Sequence, residues 1–207
     1  CKTSALLTDM NQSLASSAGN ALEIKSALAV LKNEPGEERL LNVTLALGSS
    51  ILVTAGIFSN ENTAKEILSQ SLSSGKAAEI FGRMVSALGG PNDFLDKSNK
   101  YIPVATNIVD FLSPISGYLE SVNGRVLGQA IIELGGGRKQ AIDMLDHSVG
   151  LDQFLQIGEK VEQGDPLLRI HSSNYRDMER AKNLLLEAFK FSENPVASKP
   201  LILESIN

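Results

Sequence analysis

One glycine-rich segment of the sequence could bind an anion: Gly135-Gly136-Gly137-Arg138. Backbone N–H groups beside consecutive glycines, together with a guanidinium, are groups that hold phosphate in proteins. A nucleotide-binding loop, however, follows a strand, opens a helix and has a wider glycine spacing or a Lys-Ser/Thr ending. Because this segment follows a predicted helix, its glycines are better interpreted as the end of that helix and a turn.

The histidines and acidic residues do not form a recognisable catalytic set. His147 and His171 are far apart and lack the repeated spacing of a metal site. No Gly-x-Ser-x-Gly nucleophile elbow precedes His147. Asp9 and Glu23 could act as paired carboxylates in acid–base chemistry, but no spacing forces them together. We interpret Asp9 as a turn former, Glu23 as a helix-surface or capping residue, and both histidines as structural residues.

Charge and cysteine usage exclude several classes of protein. The net charge is -5 and the pI is near 5.1, and Lys and Arg are scattered, so we expect no nucleic-acid partner. Cys1 is the only cysteine, which excludes an intramolecular disulfide and is typical of a cytoplasmic protein. The apolar run at 45–58 is interrupted by glycine and serine and is too short to cross a membrane. No motif indicates a cofactor.

The first ninety residues predict one strand and four helices. Residues 4–7 form a short apolar run that is typical of a buried strand. A first helix should be capped by Ser16 or Ser17 and end before Pro35. The apolar residues of 37–57 cover much of the helix circumference, which predicts burial on more than one side. Two further helices are expected, from Asn62 or Thr63 to Gly75 and over 77–88.

The predicted secondary structure changes near residue 98 from mainly helical to mixed strand and helix. We therefore expect a domain boundary there, which separates 1–98 from 99–207. Glycine turns separate the short strand candidates that follow. These strands are predicted at 104–112, 115–122, 149–154, 160–161, 167–171 and 201–203. Helices are predicted at 124–134 and 175–191. The fold class is therefore α/β to α+β, with helices around one strand followed by an α+β subdomain.

Residues 158–167, with glycines at 158 and 164, predict a tight strand-turn-strand unit. They are similar to the barrel-sandwich domains that carry biotin or lipoate. Such carriers need an exposed lysine at a hairpin tip, and the opposite hairpin near 115–118 contains none. A packed barrel without a prosthetic group is therefore favoured, and a carrier module is kept as an alternative.

Several segments together closely resemble the pyrimidine nucleoside phosphorylases of the thymidine phosphorylase type. The central motif is Thr8-Asp9-Met10-Asn11-Gln12-Ser13-Leu14, continued by Ala18-Gly19-Asn20-Ala21-Leu22-Glu23. The other matching segments, in the order that family shows, are 75–77, 81–84, 117–118, 134–138, Asp146, 148–150 and 158–167. The resemblance runs from about Thr3 to the C-terminus.

The resemblance implies the C-terminal part of a large α/β domain, ending in a barrel-sandwich-like subdomain. It also implies an enzyme that reversibly converts thymidine and phosphate to thymine and 2-deoxyribose 1-phosphate. Family members hold phosphate and base mainly through upstream segments and dimerise through a helical domain. Because this sequence opens with Cys-Lys-Thr at an apolar segment, we expect a truncated, inactive part of a homodimeric parent. A part of a nucleoside-monophosphate phosphorylase is the alternative within related enzymes.

The same resemblance assigns candidate site residues. Some members bind a cation through two backbone carbonyls and one carboxylate, and these positions match Leu14, Ser17 and Ser26. Since Ser26 lacks a carboxylate, we expect no ion here. Ser4 matches the position that lines the pyrimidine pocket in the family. No residue of this sequence matches a catalytic position.

Overall fold

A computed structural model describes residues 2–206, so the single cysteine, Cys1, lies outside the described residues. The described residues form two compact units. The first contains 2–9, Ser26–Tyr101 and 200–206, and the second contains Met10–Lys25 and Ile102–Lys199. The assignment of 1–98 and 99–207 to two domains of the family stays a prediction.

The elements are β1 (Ala5–Thr8), β2 (Ser17–Ala18), α1 (Asn20–Leu31), α2 (Glu38–Thr54), α3 (Glu61–Ser73), α4 (Lys76–Ala87), α5 (Ser98–Tyr101), β3 (Asn107–Leu112), β4 (Gly117–Val122), α6 (Gly124–Glu133), β5 (Gly150–Asp152), β6 (Lys160–Val161), β7 (Pro166–Ser172), α7 (Tyr175–Leu185), β8 (Phe189–Ser192) and β9 (Ile202–Ile206). The chain is thus mixed, with helices and several antiparallel sheets, as expected for an α+β C-terminal domain. Within residues 2–206, no helix is both long and apolar enough to cross a membrane.

The first unit combines a small sheet with helices. β1 pairs antiparallel with β9, and α3 packs against both α2 and α4. The Asn60 side chain caps α3 by accepting a hydrogen bond from the Thr63 N–H, at 2.9 Å. The buried residues include Val43 and Leu45 on different sides of α2 and Ala64 on α3.

The burial predictions for this unit hold only in part. On α2, Val43 and Leu45 lie on different sides of the helix and are both buried, so burial on more than one side is confirmed, but Leu47 and Ile51 are 45% and 66% exposed. On β1, alternate residues are exposed, among them Leu7, because β9 is its only strand partner in the part of the chain that is described. Both elements therefore present apolar surface.

The second unit contains two antiparallel sheets. One has the strand order β2-β5-β7-β3, and the other has the order β6-β4-β8. Alternation along β7 places Leu168 and Ile170 on the core face, and α6 and α7 pack against each other. Leu119, Leu151 and Leu185 are fully buried in the same core cluster. This core holds the loops of the candidate site in place.

Two differences from the sequence prediction arise from strand pairing. Ser17 does not cap a helix; it lies in β2 opposite Asp152, and α1 begins at Asn20. The final helix ends at Leu185 rather than at Phe191, because Phe189 and Phe191 belong to β8 and pair with β4. In both places, pairing with a distant strand overrides the local pattern.

Candidate functional site

Two segments of the family motif meet in the second unit. β2 pairs antiparallel with β5, so that Ala18 lies opposite Leu151. Gly19 has φ of 130°, and a Cβ atom on it would lie 2.5 Å from the Val149 carbonyl oxygen. A Cβ atom on Gly150 would lie 2.4 Å from the Ala18 carbonyl oxygen. We call this contact between 17–23 and 146–152 the glycine junction. It requires glycine on both sides, because only glycine lets two backbones approach so closely.

The start of α1 is capped from within the glycine junction. The Ala21 N–H donates to the His147 carbonyl oxygen at 3.1 Å. The Gly19 N–H donates to Glu23 Oε1 at 3.0 Å. Glu23 is thus a capping residue, as predicted, and His147 contributes its backbone. Because these donors have partners inside the protein, the junction is a structural joint and not an open anion site.

Asp146 binds the loop before β5 to the end of β7. Its carboxylate accepts hydrogen bonds from the Ser148 N–H at 2.9 Å, from the Ser148 hydroxyl at 2.6 Å and from the Ser173 hydroxyl. Burial works to raise the pKa of Asp146, but the two hydroxyls and the Ser148 N–H outweigh it and hold this pKa below its ordinary value. The carboxylate therefore remains ionised near neutral pH and stabilises this loop.

The glycine-rich segment ends α6, as predicted. The Gly135 N–H donates to the Ile132 carbonyl and the Gly136 N–H to the Ile131 carbonyl, at 3.0 and 2.9 Å. Gly135 has φ of 94°, which is the left-handed conformation usual after a helix. These two N–H groups are therefore used by the helix end.

A buried pair that the sequence interpretation missed joins β5 to β7. His171 Nε2 lies 3.0 Å from Asp152 Oδ1, at an angle unsuited to a hydrogen bond, and the imidazole is only 8% exposed. Gly150 lies opposite His171 in the strand pairing. The sequence alone does not show that Gly150 and His171 are paired, because this depends on the register between β5 and β7. The pair is a close polar contact within the sheet.

The other predicted carboxylate has a separate partner. Asp9 Oδ2 lies 3.2 Å from Arg39 Nη2, and the two side chains are 3% and 19% exposed. The Asp9 N–H also donates to the Leu201 carbonyl oxygen. Each of Asp9 and Glu23 thus has its own structural contact, which supports their interpretation as structural rather than acid–base residues.

A pocket at the turn between α1 and α2 is lined by Glu34, Glu37 and Glu38, and this negative charge is unfavourable for phosphate.

The residues assigned by resemblance lie as follows. The Ser4 hydroxyl contacts the hydroxyls of Ser50 and Thr54, at 3.2 and 2.8 Å. Leu14 is 38% exposed in the second unit, whereas Ser17 and Ser26 are buried. Groups of three or more metal-binding side chains are absent from the described part of the chain. The pyrimidine-pocket role of Ser4 stays a prediction, as does the expectation that Leu14 and Ser17 hold no cation because Ser26 supplies no carboxylate.

The hairpin that a carrier domain would modify is held by backbone bonds. The Ser113 N–H donates to the Asp165 carbonyl at 2.8 Å, and the Gly164 N–H donates to the Ser113 carbonyl at 2.9 Å. The Gln163 N–H donates to the Ser116 hydroxyl at 2.9 Å. Residues 113–117 contain no lysine. This turn is therefore a structural contact between two loops, and a carrier role is disfavoured.

Comparison with known families gives one match. Residues 118–192 match the model of the pyrimidine nucleoside phosphorylase C-terminal domain. The matched range runs from β4 to the end of β8 and includes β5, β7 and the Asp146 side of the glycine junction. The match therefore covers most of the core of the second unit.

Proposed function

Because the chain belongs to the pyrimidine nucleoside phosphorylase family, with its C-terminal domain at 118–192, we propose that it is part of a thymidine phosphorylase. The observation that carries this proposal is the family match together with the glycine junction. There the motif at 17–23, which lies outside the matched range, packs against the matched segment 146–152. Two distant parts of the resemblance thus depend on each other structurally.

The proposed reaction is transfer of a pentosyl group. A phosphate oxygen forms a bond to the anomeric carbon of 2-deoxyribose while the bond from that carbon to N1 of thymine breaks. The electron pair leaves with the pyrimidine, which is then protonated, and the reverse reaction restores thymidine. Two sets of groups are needed, one to hold the phosphate and one to stabilise negative charge on the leaving base.

We assign this chain a structural part in that enzyme. Its candidate groups are already used internally, since the α1 start, the glycine-rich segment and Asp146 all bond to the protein itself. The phosphate and base sites are accordingly proposed to lie in other polypeptide of the enzyme, as in the family that it resembles. The chain alone should then bind and position no complete substrate pair.

The apolar surface of the first unit supports this assignment. β1 exposes Leu7, and the open side of α2 exposes Leu47 and Ile51. A strand with one partner and a helix with an apolar outer side are suited to the inside of a larger α/β domain. We propose that β1 is an inner strand of the catalytic sheet and that the nearby hydroxyls of Ser4, Ser50 and Thr54 face its pyrimidine pocket.

The remaining features of the proposal follow from the family resemblance. The substrates are phosphate and a pyrimidine nucleoside, and the intact enzyme is a cytoplasmic homodimer in nucleoside salvage. No cofactor takes part. A cation at Leu14 and Ser17 is not expected, because Ser26 supplies no carboxylate.

The first test is an assay of phosphorolysis by the purified chain. Thymidine, uridine and a nucleoside monophosphate are each incubated with phosphate, and release of the free base is measured by chromatography. We expect no release above the enzyme-free control for any substrate. Release of thymine would show that a complete active site lies within these residues and would overturn the proposed division of roles.

A further inference from the structure

The outer side of α4 carries an apolar stripe that is exposed among the described residues. Ile80, Met84 and Leu88 follow one another at four-residue steps and are 57%, 48% and 80% exposed. Residues four apart lie on the same side of a helix, so these three side chains form a continuous row. We call Ile80, Met84 and Leu88 the α4 stripe.

Other residues of α4 are fixed against the same unit, which determines where the α4 stripe points. A Cβ atom on Gly82 would lie 2.7 Å from the Leu95 side chain, and the Phe81 ring lies 6.3 Å from the Phe94 ring. Ala78 is buried on the same side. Rotation of α4 to hide the stripe would therefore break this packing.

We propose that the chain self-associates through the α4 stripe, with α4 of a second copy packed antiparallel across a two-fold axis. Such an axis brings the same surface of both copies together, so the surface must complement itself. With Ile80 opposite Met84 of the second copy, these two apolar side chains pair twice across the axis, and Leu88 at each end lies opposite Lys76, against the aliphatic part of its side chain. This contact is separate from the helical-domain dimer that the family resemblance implies, and it does not depend on phosphorolysis.

The charges beside the α4 stripe supply the complementarity. Glu79 and Arg83 lie on one side of the stripe, 3.9 Å apart, and both side chains are 70% exposed. In an antiparallel two-fold pair, equivalent sides of the two helices face each other. At the stated register, Glu79 lies about two residues, or roughly 3 Å along the axis, from Arg83 of the second copy. Opposite charges thus meet twice across the contact.

A second copy fits the α4 stripe better than it fits the apolar side of α2. Leu47 and Ile51 on α2 are accompanied by Thr44 and Ala55, with no charged pair at the edge. A surface without charges is typical of a permanently buried contact, whereas an apolar centre with a charged rim is typical of contacts that also exist exposed to water. The paired charges therefore favour α4 for self-association.

The test uses two charge variants of the whole chain, Glu79→Arg and Arg83→Glu, studied separately and mixed. Each variant alone places like charges across the contact, so we expect about a tenfold weaker dimer by sedimentation equilibrium. Positions 79 and 83 are both basic in the first variant and both acidic in the second. An equimolar mixture therefore brings opposite charges together again and should recover the affinity of the unchanged chain. The charge pair within a single helix cannot produce this recovery on mixing.

Two further variants separate the contact from folding and from general charge. Met84→Glu should abolish the dimer with an unchanged circular dichroism spectrum, because residue 84 is exposed in the monomer. Glu66→Arg, on the exposed side of α3, should leave the dimer unchanged. A monomeric unchanged chain, or a mixture no tighter than its separate variants, would overturn the proposal.

Discussion

Replacement of Gly19 by alanine tests whether the glycine junction holds the second unit together. The new Cβ atom would lie 2.5 Å from the Val149 carbonyl oxygen and 2.8 Å from the Gly150 Cα atom. Both are backbone atoms, so no side chain can rotate away. The two segments would have to separate by roughly 1 Å to restore ordinary contact distances.

The expected loss of stability combines two costs. Forcing alanine to the φ of Gly19, which is 130°, costs on the order of 1–3 kcal/mol. Relief of the overlap costs about 1–3 kcal/mol more, as in overpacked cores. We therefore expect Gly19→Ala to lower the free energy of unfolding by about 2–6 kcal/mol, a large part of the roughly 5–15 kcal/mol of a typical domain.

The assay is urea unfolding followed by circular dichroism, with amide hydrogen exchange to locate the change. Exchange should accelerate in β2 and β5, which pair next to the substitution. Gly128→Ala is the matched control, because Gly128 lies inside α6 with open space around its Cβ position. This control should raise stability by about 0.5–1 kcal/mol. A Gly19→Ala protein within about 0.5 kcal/mol of the unchanged chain would refute the reasoning.

Three further changes have expected outcomes. Arg39→Met removes the ion-pair partner of the buried Asp9 carboxylate, which keeps other contacts, and should lower the free energy of unfolding by about 1–3 kcal/mol in urea, whereas the exposed Arg180→Met should change it by under about 0.5 kcal/mol. Asp146→Asn should cost about 1–3 kcal/mol at pH 7. The pKa of Asp146 is lower in the folded than in the unfolded protein. The Asp146 carboxylate therefore contributes its full stabilisation at pH values above the unfolded pKa, and this stabilisation is lost as the pH falls through the folded pKa. The stability lost in Asp146→Asn should accordingly shrink in thermal melts below about pH 4. Leu119→Ala, at a fully buried core position, should cost about 2–5 kcal/mol, and a smaller loss would contradict the described core.

The helices were largely predictable because local signals determine them. Periodic apolar residues and a following glycine placed α4 and α6 within a residue or two of their observed bounds. The β2 and β8 strands were not predictable in the same way, since each depends on a partner far along the chain. The helical spacing of apolar residues that starts at 175 continues into β8, so the helix was predicted to end at 191 instead of at Leu185.

The features of the candidate site were likewise predictable where they are local and not predictable where they depend on distant strands. The capping role of Glu23 and the helix-ending role of Gly135 follow from local rules and were predicted. The Asp152–His171 contact and the close approach of Gly19 to Gly150 arise from strand register, and a single sequence gives no signal for it. The exposed side of α2 was predicted as buried, because periodicity shows that a side chain is apolar but not what covers it.

This chain is proposed to supply the C-terminal structural part of a pyrimidine nucleoside phosphorylase. The most direct measurement is the rate of thymine release by a chimera in which these 207 residues replace the corresponding C-terminal part of an active family member. We predict a folded chimera that releases thymine in a phosphate-dependent way, and a large loss of that activity when Gly19→Ala is added. A folded chimera without activity would contradict the claim.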